Sequence, residues 1–135
     1  MEEVTIVIPY RNRESYLRRT LSYIVHQQFR PLRLILVDNG STDGSRQVCE
    51  QFVREHHNSL ISFVLASEPK PGAAAARNRG LVLCQTPFVY FFDSDDEFDP
   101  QFLPTIQALL TPDLDLLAVT TRQVVRGKDK LRSEE

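Results

Sequence analysis

The chain reads as an α/β protein of three layers, a mostly parallel sheet with helices on both faces. Two observations predict this. Short apolar runs rich in β-branched residues alternate strictly with segments whose apolar residues recur every three or four positions, in the order β-α-β-α-β-α-β-α-β. Proline, glycine or polar turns separate them, which is the layout of crossover units rather than of hairpins. Size agrees: 135 residues, 41% hydrophobic and 25% charged, suit one soluble domain.

Val4 to Ile8 (VTIVI) is a buried strand, which Pro9 is expected to stop. Glu14 to Gln28 follows as a helix, with Leu17, Leu21, Ile24, Val25 and Gln28 on one face and Asn12 placed to cap it; Pro31 closes the segment. Leu32 to Val37 is the second strand, and Asp38 to Gly44 a turn-rich loop in which Gly40 and Gly44 are free to take positive φ. Ser45 to His56 is a helix turning Val48, Cys49, Phe52 and Val53 inward. Leu60 to Ala66 is the third strand, broken by Pro69, Pro71 and Gly72. Ala73 to Leu83 is a helix whose alanine-rich first half favours helix and lets its backbone approach a neighbour closely. Phe88 to Phe92 is the fourth strand.

The acidic loop Asp93 to Asp99 comes next, and Asp99 followed by Pro100 has the form of a helix start. Phe102, Leu103, Ile106, Leu109 and Leu110 give that helix its apolar face before Pro112. Leu114 to Thr120 is a weaker fifth strand. Arg126 to Glu135 is densely charged, has no periodicity, and reads as frayed or cut. The expected organisation is a domain over 1–120 and a charged tail over 121–135.

Several function classes fall away. Sixteen Lys+Arg against eighteen Asp+Glu leave a net charge of −2, which argues against a nucleic-acid binder relying on bulk positive charge. No apolar run approaches the ~20 residues of a membrane span. The acidic start Met1-Glu2-Glu3 is unlike a secretory signal. Cys49 and Cys84 form no disulfide framework or metal spacing, and are expected to be buried reduced thiols in a cytoplasmic protein. There is no GxxxxGK[ST], no GxGxxG after the first strand and no GxSxG. His56 and His57 are adjacent, so they face different ways on a helix and make no metal pair.

In sheets of this kind, ligands gather beyond the carboxyl ends of the strands. The unusual polar residues fall there. Asp93, Asp95, Asp96, Glu97 and Asp99 place five carboxylates within seven residues. Charges so close repel and raise one another's pKa unless a cation compensates. Oxygen ligands suit Mg²⁺ or Mn²⁺, and Asp93 and Asp95 fit a metal–diphosphate site. The plain alternative is a solvated loop with Asp99 as a helix cap. Arg11 and Arg13 could grip phosphate oxygens with their guanidinium forks, and Tyr10 could stack on a base; ordinary surface arginine is the alternative. Arg77 follows the small-residue start of the third helix and is either a cleft residue or part of a plain packing helix.

Four segments in order, TIVIPYRNR with Glu14, LILVDNGSTDGS, PGAAAARNRGL and FFDSDDEFDP, make the chain resemble the nucleotide-sugar half of the inverting glycosyltransferases of family 2. The resemblance covers Val4 to about Leu110. It implies a Rossmann-like GT-A fold (its N-terminal portion) and a nucleoside-diphosphate sugar donor. It assigns Pro9, Tyr10, Arg11, Asp38 and Asn39 to nucleoside contacts, and Arg13 and Arg77 to the diphosphate. Asp93-Ser94-Asp95 matches the Asp-x-Asp signature. Asp95 is the expected direct ligand of Mg²⁺ or Mn²⁺, Asp93 serves the ribose or metal-bound water, and Asp96 is a second candidate ligand. Two departures stand out. Family members often carry aspartate where this chain has Asn39, and Tyr10-Arg11 replaces the more usual Thr-Tyr. The string PYRNR is similar to the PFRNR of animal β-1,4-galactosyltransferases, where it lines the UDP site, which favours a UDP-sugar.

The resemblance further implies an in-line displacement at the anomeric carbon, with the metal neutralising the departing diphosphate and a carboxylate deprotonating the acceptor hydroxyl. Asp113 and Asp115 lack the family's local motif for that base, which is expected beyond Glu135. The acceptor class stays open among glycan (as in polysaccharide biosynthesis), lipid-linked and protein acceptors. Peripheral association with the inner face of the membrane would suit the full-length protein. A shortened sheet with exposed edges invites a homodimer. The competing class is a noncatalytic α/β module that binds a nucleotide or a partner.

Overall fold

The structure, a computed structural model, describes residues 3–27, 30–92, 94, 102–110, 119–125 and 128–134. Four parallel strands, β1 (Val4–Tyr10), β2 (Leu32–Asp38), β3 (Ile61–Ser67) and β4 (Phe88–Phe91), form one sheet in the order β3-β2-β1-β4. Thr5 pairs with Arg33 on one side and Val89 on the other, and Leu32 with Ile61. The helices α1 (Glu14–Val25), α2 (Ser45–His56) and α3 (Ala73–Leu83) make the crossovers, and α4 (Phe102–Leu109) follows β4.

Direction decides which face each helix covers. The steps β1→β2 and β2→β3 run one way across the sheet and β3→β4 runs back. With right-handed crossovers, α1 and α2 share one face and α3 takes the other. The core divides accordingly. Ile6, Ile8, Leu34 and Leu36 pack with Leu17, Leu21 and Ile24 of α1, Cys49 and Phe52 of α2, and Leu103 of α4. The alternate residues Val7, Ile35 and Val37 meet Ala76 of α3. Gly80 is buried there, and a Cβ on it would overlap the Val7 side chain. The alanine-rich helix therefore lies with its backbone close to β1, as its composition predicts.

Four local expectations are corrected. β1 does not stop at Pro9 but runs through it to Tyr10. Val7 accepts from Phe92 N–H toward β4. Pro9, two residues on, has no N–H to send to that side, and the pairing of β1 with β4 ends at Val7 and Phe91 while its pairing with β2 continues to Tyr10. Secondly, α1 ends at Val25, and Arg30 donates to the carbonyls of Val25 (2.9 Å) and Gln27 (2.9 Å) in place of a further turn. Thirdly, Asn12 does not cap α1: it takes the left-handed conformation (φ 51°) one residue before the cap position.

The fourth concerns the C-terminal part. Of the expected fifth strand, residues 114–118 lie outside the described residues. β5 spans Val119–Val125 and pairs antiparallel with β6 (Lys128–Glu134), through the stretch expected to be a frayed tail. Val119, Thr120, Thr121, Val124 and Val125 favour strand. Dense charge hid the strand because a backbone ladder does not require an apolar partner.

Candidate functional site

Strand order reverses between β1 and β4, so the crevice beyond their carboxyl ends is the topological switch point of the sheet. Three of the four family-like segments can be followed there directly. The loops after β1 and β2 are tied together by side chains. Asn12 N–H donates to Ser41 Oγ (3.1 Å), and Asn12 Oδ1 accepts from the N–H groups of Thr42 (2.7 Å) and Asp43 (3.3 Å). Asparagine tolerates the left-handed backbone that this position needs.

The first turns of α1 and α2 cap each other. Asp43 Oδ2 accepts from Glu14 N–H (3.3 Å), and Glu14 Oε1 accepts from Gly44 N–H (2.8 Å). Asp43 Oδ1 takes Ser45 N–H (2.9 Å) and Ser45 Oγ–H (2.6 Å), while Arg13 N–H donates to that same Oγ (2.8 Å). Two carboxylates thus serve the donor-rich, positive ends of two helices. A Cβ on Gly44 would lie 2.7 Å from the Glu14 carboxylate, so glycine leaves room for that bond. The Ser45 hydroxyl, and then the backbone donors, hold the Asp43 carboxyl below its usual value.

The expected nucleoside residues divide. Asp38 is buried, and its Oδ1 accepts from Ser41 N–H (3.0 Å), which shapes the β2 loop. Asn39 is also buried, with its carboxamide turned to the loop after β3. Pro9 is half-buried at the end of β1 and Arg11 is exposed just beyond. Arg13 folds its guanidinium back toward the carbonyls of Arg11 (3.4 Å) and Asn12 (3.3 Å). Arg77 is half-buried early in α3.

Tyr10 is a correction. Its ring is 4% exposed within the α1/α2 core, in phase with Val4, Ile6 and Ile8, so it is not presented for stacking on a base. Its hydroxyl hydrogen-bonds the Cys49 thiol, and burial raises the pKa of both groups, the thiol to about 12. Cys49 is accordingly a buried free thiol as expected, whereas Cys84 is half-buried at the C-cap of α3.

Asp93, Asp95 and Asp96 lie outside the described residues. Ser94 between them is buried, and its carbonyl accepts from Thr20 Oγ1 (2.9 Å). Farther along, Gln27 Oε1 accepts from Leu103 N–H (3.1 Å) at the start of α4. Thr20 of α1 and Gln27, two residues past its end, therefore hold the chain at Ser94 within the acidic run and at Leu103 after it. Sequence reasoning missed both anchors. The available signal was a pair of polar residues, Thr20 and Gln27, at three-residue steps on the apolar face of Leu17 and Ile24. Among the described residues, no group of three His, Cys, Asp or Glu could hold a metal, and no helix is long and apolar enough to cross a membrane.

A parallel sheet in the order 3-2-1-4, with Arg11, Arg13, buried Asp38 and Ser94 beyond its carboxyl ends, defines a Rossmann-like α/β protein with polar residues at the switch point. The chain belongs to glycosyl transferase family 2, whose sequence profile matches residues 5–134. It is 32% identical over 105 residues to the glycosyltransferase GlyA of Streptococcus pneumoniae, covering 78% of this chain and 14% of that protein. It is 36% identical over 107 residues to the minor teichoic acid biosynthesis protein GgaA of Bacillus subtilis, covering 76% and 23%. The fold matches that of S. aureus TarS 1-349 in complex with UDP, with a TM-score of 0.70 at 24% identity over 78% of this chain and 31% of that one. It also matches the mannosyltransferase PcManGT of Pyrobaculum calidifontis in complex with GDP-Man and Mn²⁺, with a TM-score of 0.67 at 24% identity over 76% and 30%. The chain thus spans well under half the length of these relatives.

Proposed function

We propose that this chain forms the donor-binding part of a glycosyltransferase that moves a sugar from a nucleoside-diphosphate sugar, a UDP-sugar, to an acceptor hydroxyl with inversion. The observation that carries the reading is convergence: the family segments after β1, β2 and β3 end on one rim, and Ser94 fixes the fourth just past β4. The UDP held by TarS supports the choice of donor. Pro9, Asp38 and the β2 loop would border the nucleoside. Arg11, Arg13 and Arg77 supply positive charge for the diphosphate.

Asp93, Asp95 and Asp96 would hold Mg²⁺ or Mn²⁺. Their all-oxygen donor set, anchored through Ser94 at the carboxyl end of the sheet, fits such an ion. When bound, the ion neutralises charge on the departing diphosphate. The general base is assigned to an acceptor-binding half, for which the relatives' greater length leaves room. The teichoic acid relative supports a cell-envelope glycan or lipid-linked acceptor rather than a protein, and in this reading the reaction runs at the inner face of the membrane.

Titration calorimetry with UDP, with and without Mn²⁺, tests the reading. Binding should appear at millimolar UDP or below and strengthen with the ion, and Asp95→Asn should remove the ion-dependent part alone. A folded protein that binds no UDP under these conditions would overturn it.

A further inference from the structure

The Asn39 side chain is 8% exposed and spends its hydrogen-bonding groups on the loop after β3. Its Nδ2 donates to the carbonyls of Glu68 (2.9 Å) and Lys70 (2.8 Å), and its Oδ1 accepts from Gly72 N–H (3.1 Å). Two carbonyls on one side identify that atom as the NH₂ group, which fixes the amide's orientation. The backbone holds the residue itself: Asn39 N–H donates to Tyr10 O (2.9 Å), and Glu68 N–H to Asp38 O (2.8 Å).

The segment that Asn39 grips has little means of holding itself. Pro69 and Pro71 have no N–H to give, and Lys70 N–H bonds only locally, to Glu68 Oε2 (3.1 Å). Gly72 takes φ 113°, which a side chain would strain, and leads directly into α3. One carboxamide therefore holds Gly72, the residue that opens the helix carrying Arg77.

We propose that Asn39 is a positioning residue for donor binding, bracing the β3–α3 loop rather than reading the base; this rests on the nucleotide-binding reading above. Both donors are committed to carbonyls, and a carboxylate could not replace them. Aspartate would keep the bond from Gly72 N–H but set two carbonyls against its negative charge, whereas a base-reading residue would gain from the stronger acceptor.

The sign of Asn39→Asp separates the two roles. UDP and CDP binding to the full 135-residue chain is measured for wild type, Asn39→Asp, Asn39→Ala and the milder Asn39→Ser, alongside hydrogen exchange of the ligand-free proteins. Bracing predicts that Asn39→Asp and Asn39→Ala each weaken UDP and CDP by the same factor, about ten-fold or more, because loop carbonyls lose buried partners. Exchange should quicken over residues 68–72 while α1 and β1 keep wild-type protection. Asn39→Asp binding UDP as tightly as wild type, a shifted UDP-to-CDP ratio, or unchanged exchange over 68–72 would each overturn the proposal. If wild type binds neither nucleotide, the donor reading fails, and the exchange data still decide whether Asn39 braces the loop. Should Asn39→Asp and Asn39→Ala lose protection throughout, Asn39→Ser decides by the same criteria.

Discussion

The two faces of the sheet are stabilised in opposite ways. On the α1/α2 face, large side chains such as Leu17, Leu21, Ile24 and Phe52 fill a wide gap between helix and strand. On the α3 face the gap is nearly closed, and Ala76 and Gly80 let the helix rest on Val7, Ile35 and Val37. The first depends on volume being present and the second on volume being absent. Lost volume should therefore be the telling change on the first side, and added volume on the second.

The largest effect is expected from Phe52→Ala. That ring is fully buried, stacks on His56 (3.9 Å between centroids) and meets Phe63 edge-on. Truncation should cost about 3–5 kcal/mol in denaturant unfolding. Next is Gly80→Ala, which adds one carbon and should still cost about 1–3 kcal/mol by forcing α3 off β1. Combining it with Val7→Ala should cost less than the sum of the two single changes, since each relieves the other. A neutral Gly80→Ala would break the comparison.

The smallest effect concerns acid and should belong to the α1/α2 side alone. Asp43 has a depressed folded pKa, so its stabilisation is complete above the ordinary value of 3.8 and is lost as pH falls through the folded value. Asp43→Asn should flatten Tm against pH in that window only. The first turn of α3 has no acidic residue, and its own start should not respond.

Much of this frame was legible in the sequence. Helices α2 and α3 fall where periodicity and composition place them, and β2 and β3 lie within a residue of expectation, because hydrophobic period and proline breaks act locally. What escaped has a common physical cause. Tyr10 looked like a rim residue, but strand alternation carries its ring into the core. Asn12 looked like a cap, but its oxygen serves a loop about thirty residues away. Thr20, Gln27 and Asn39 act on backbone groups brought near only by the fold, and no local pattern announces such a partner. Of the candidate site, the rim was readable strand by strand, whereas the division of labour between contact and support was not.

The reciprocal capping of α1 and α2 bears on the entropy of association. Asp43, Glu14, Ser45 and Asn12 already hold two loops in one arrangement without a ligand. A nucleotide meeting that edge has little loop freedom left to remove, so more of its contact energy survives as affinity. Loosening one knot, for instance with Glu14→Ala, should then appear in calorimetry as a larger unfavourable entropy of binding, with the enthalpy of contact retained.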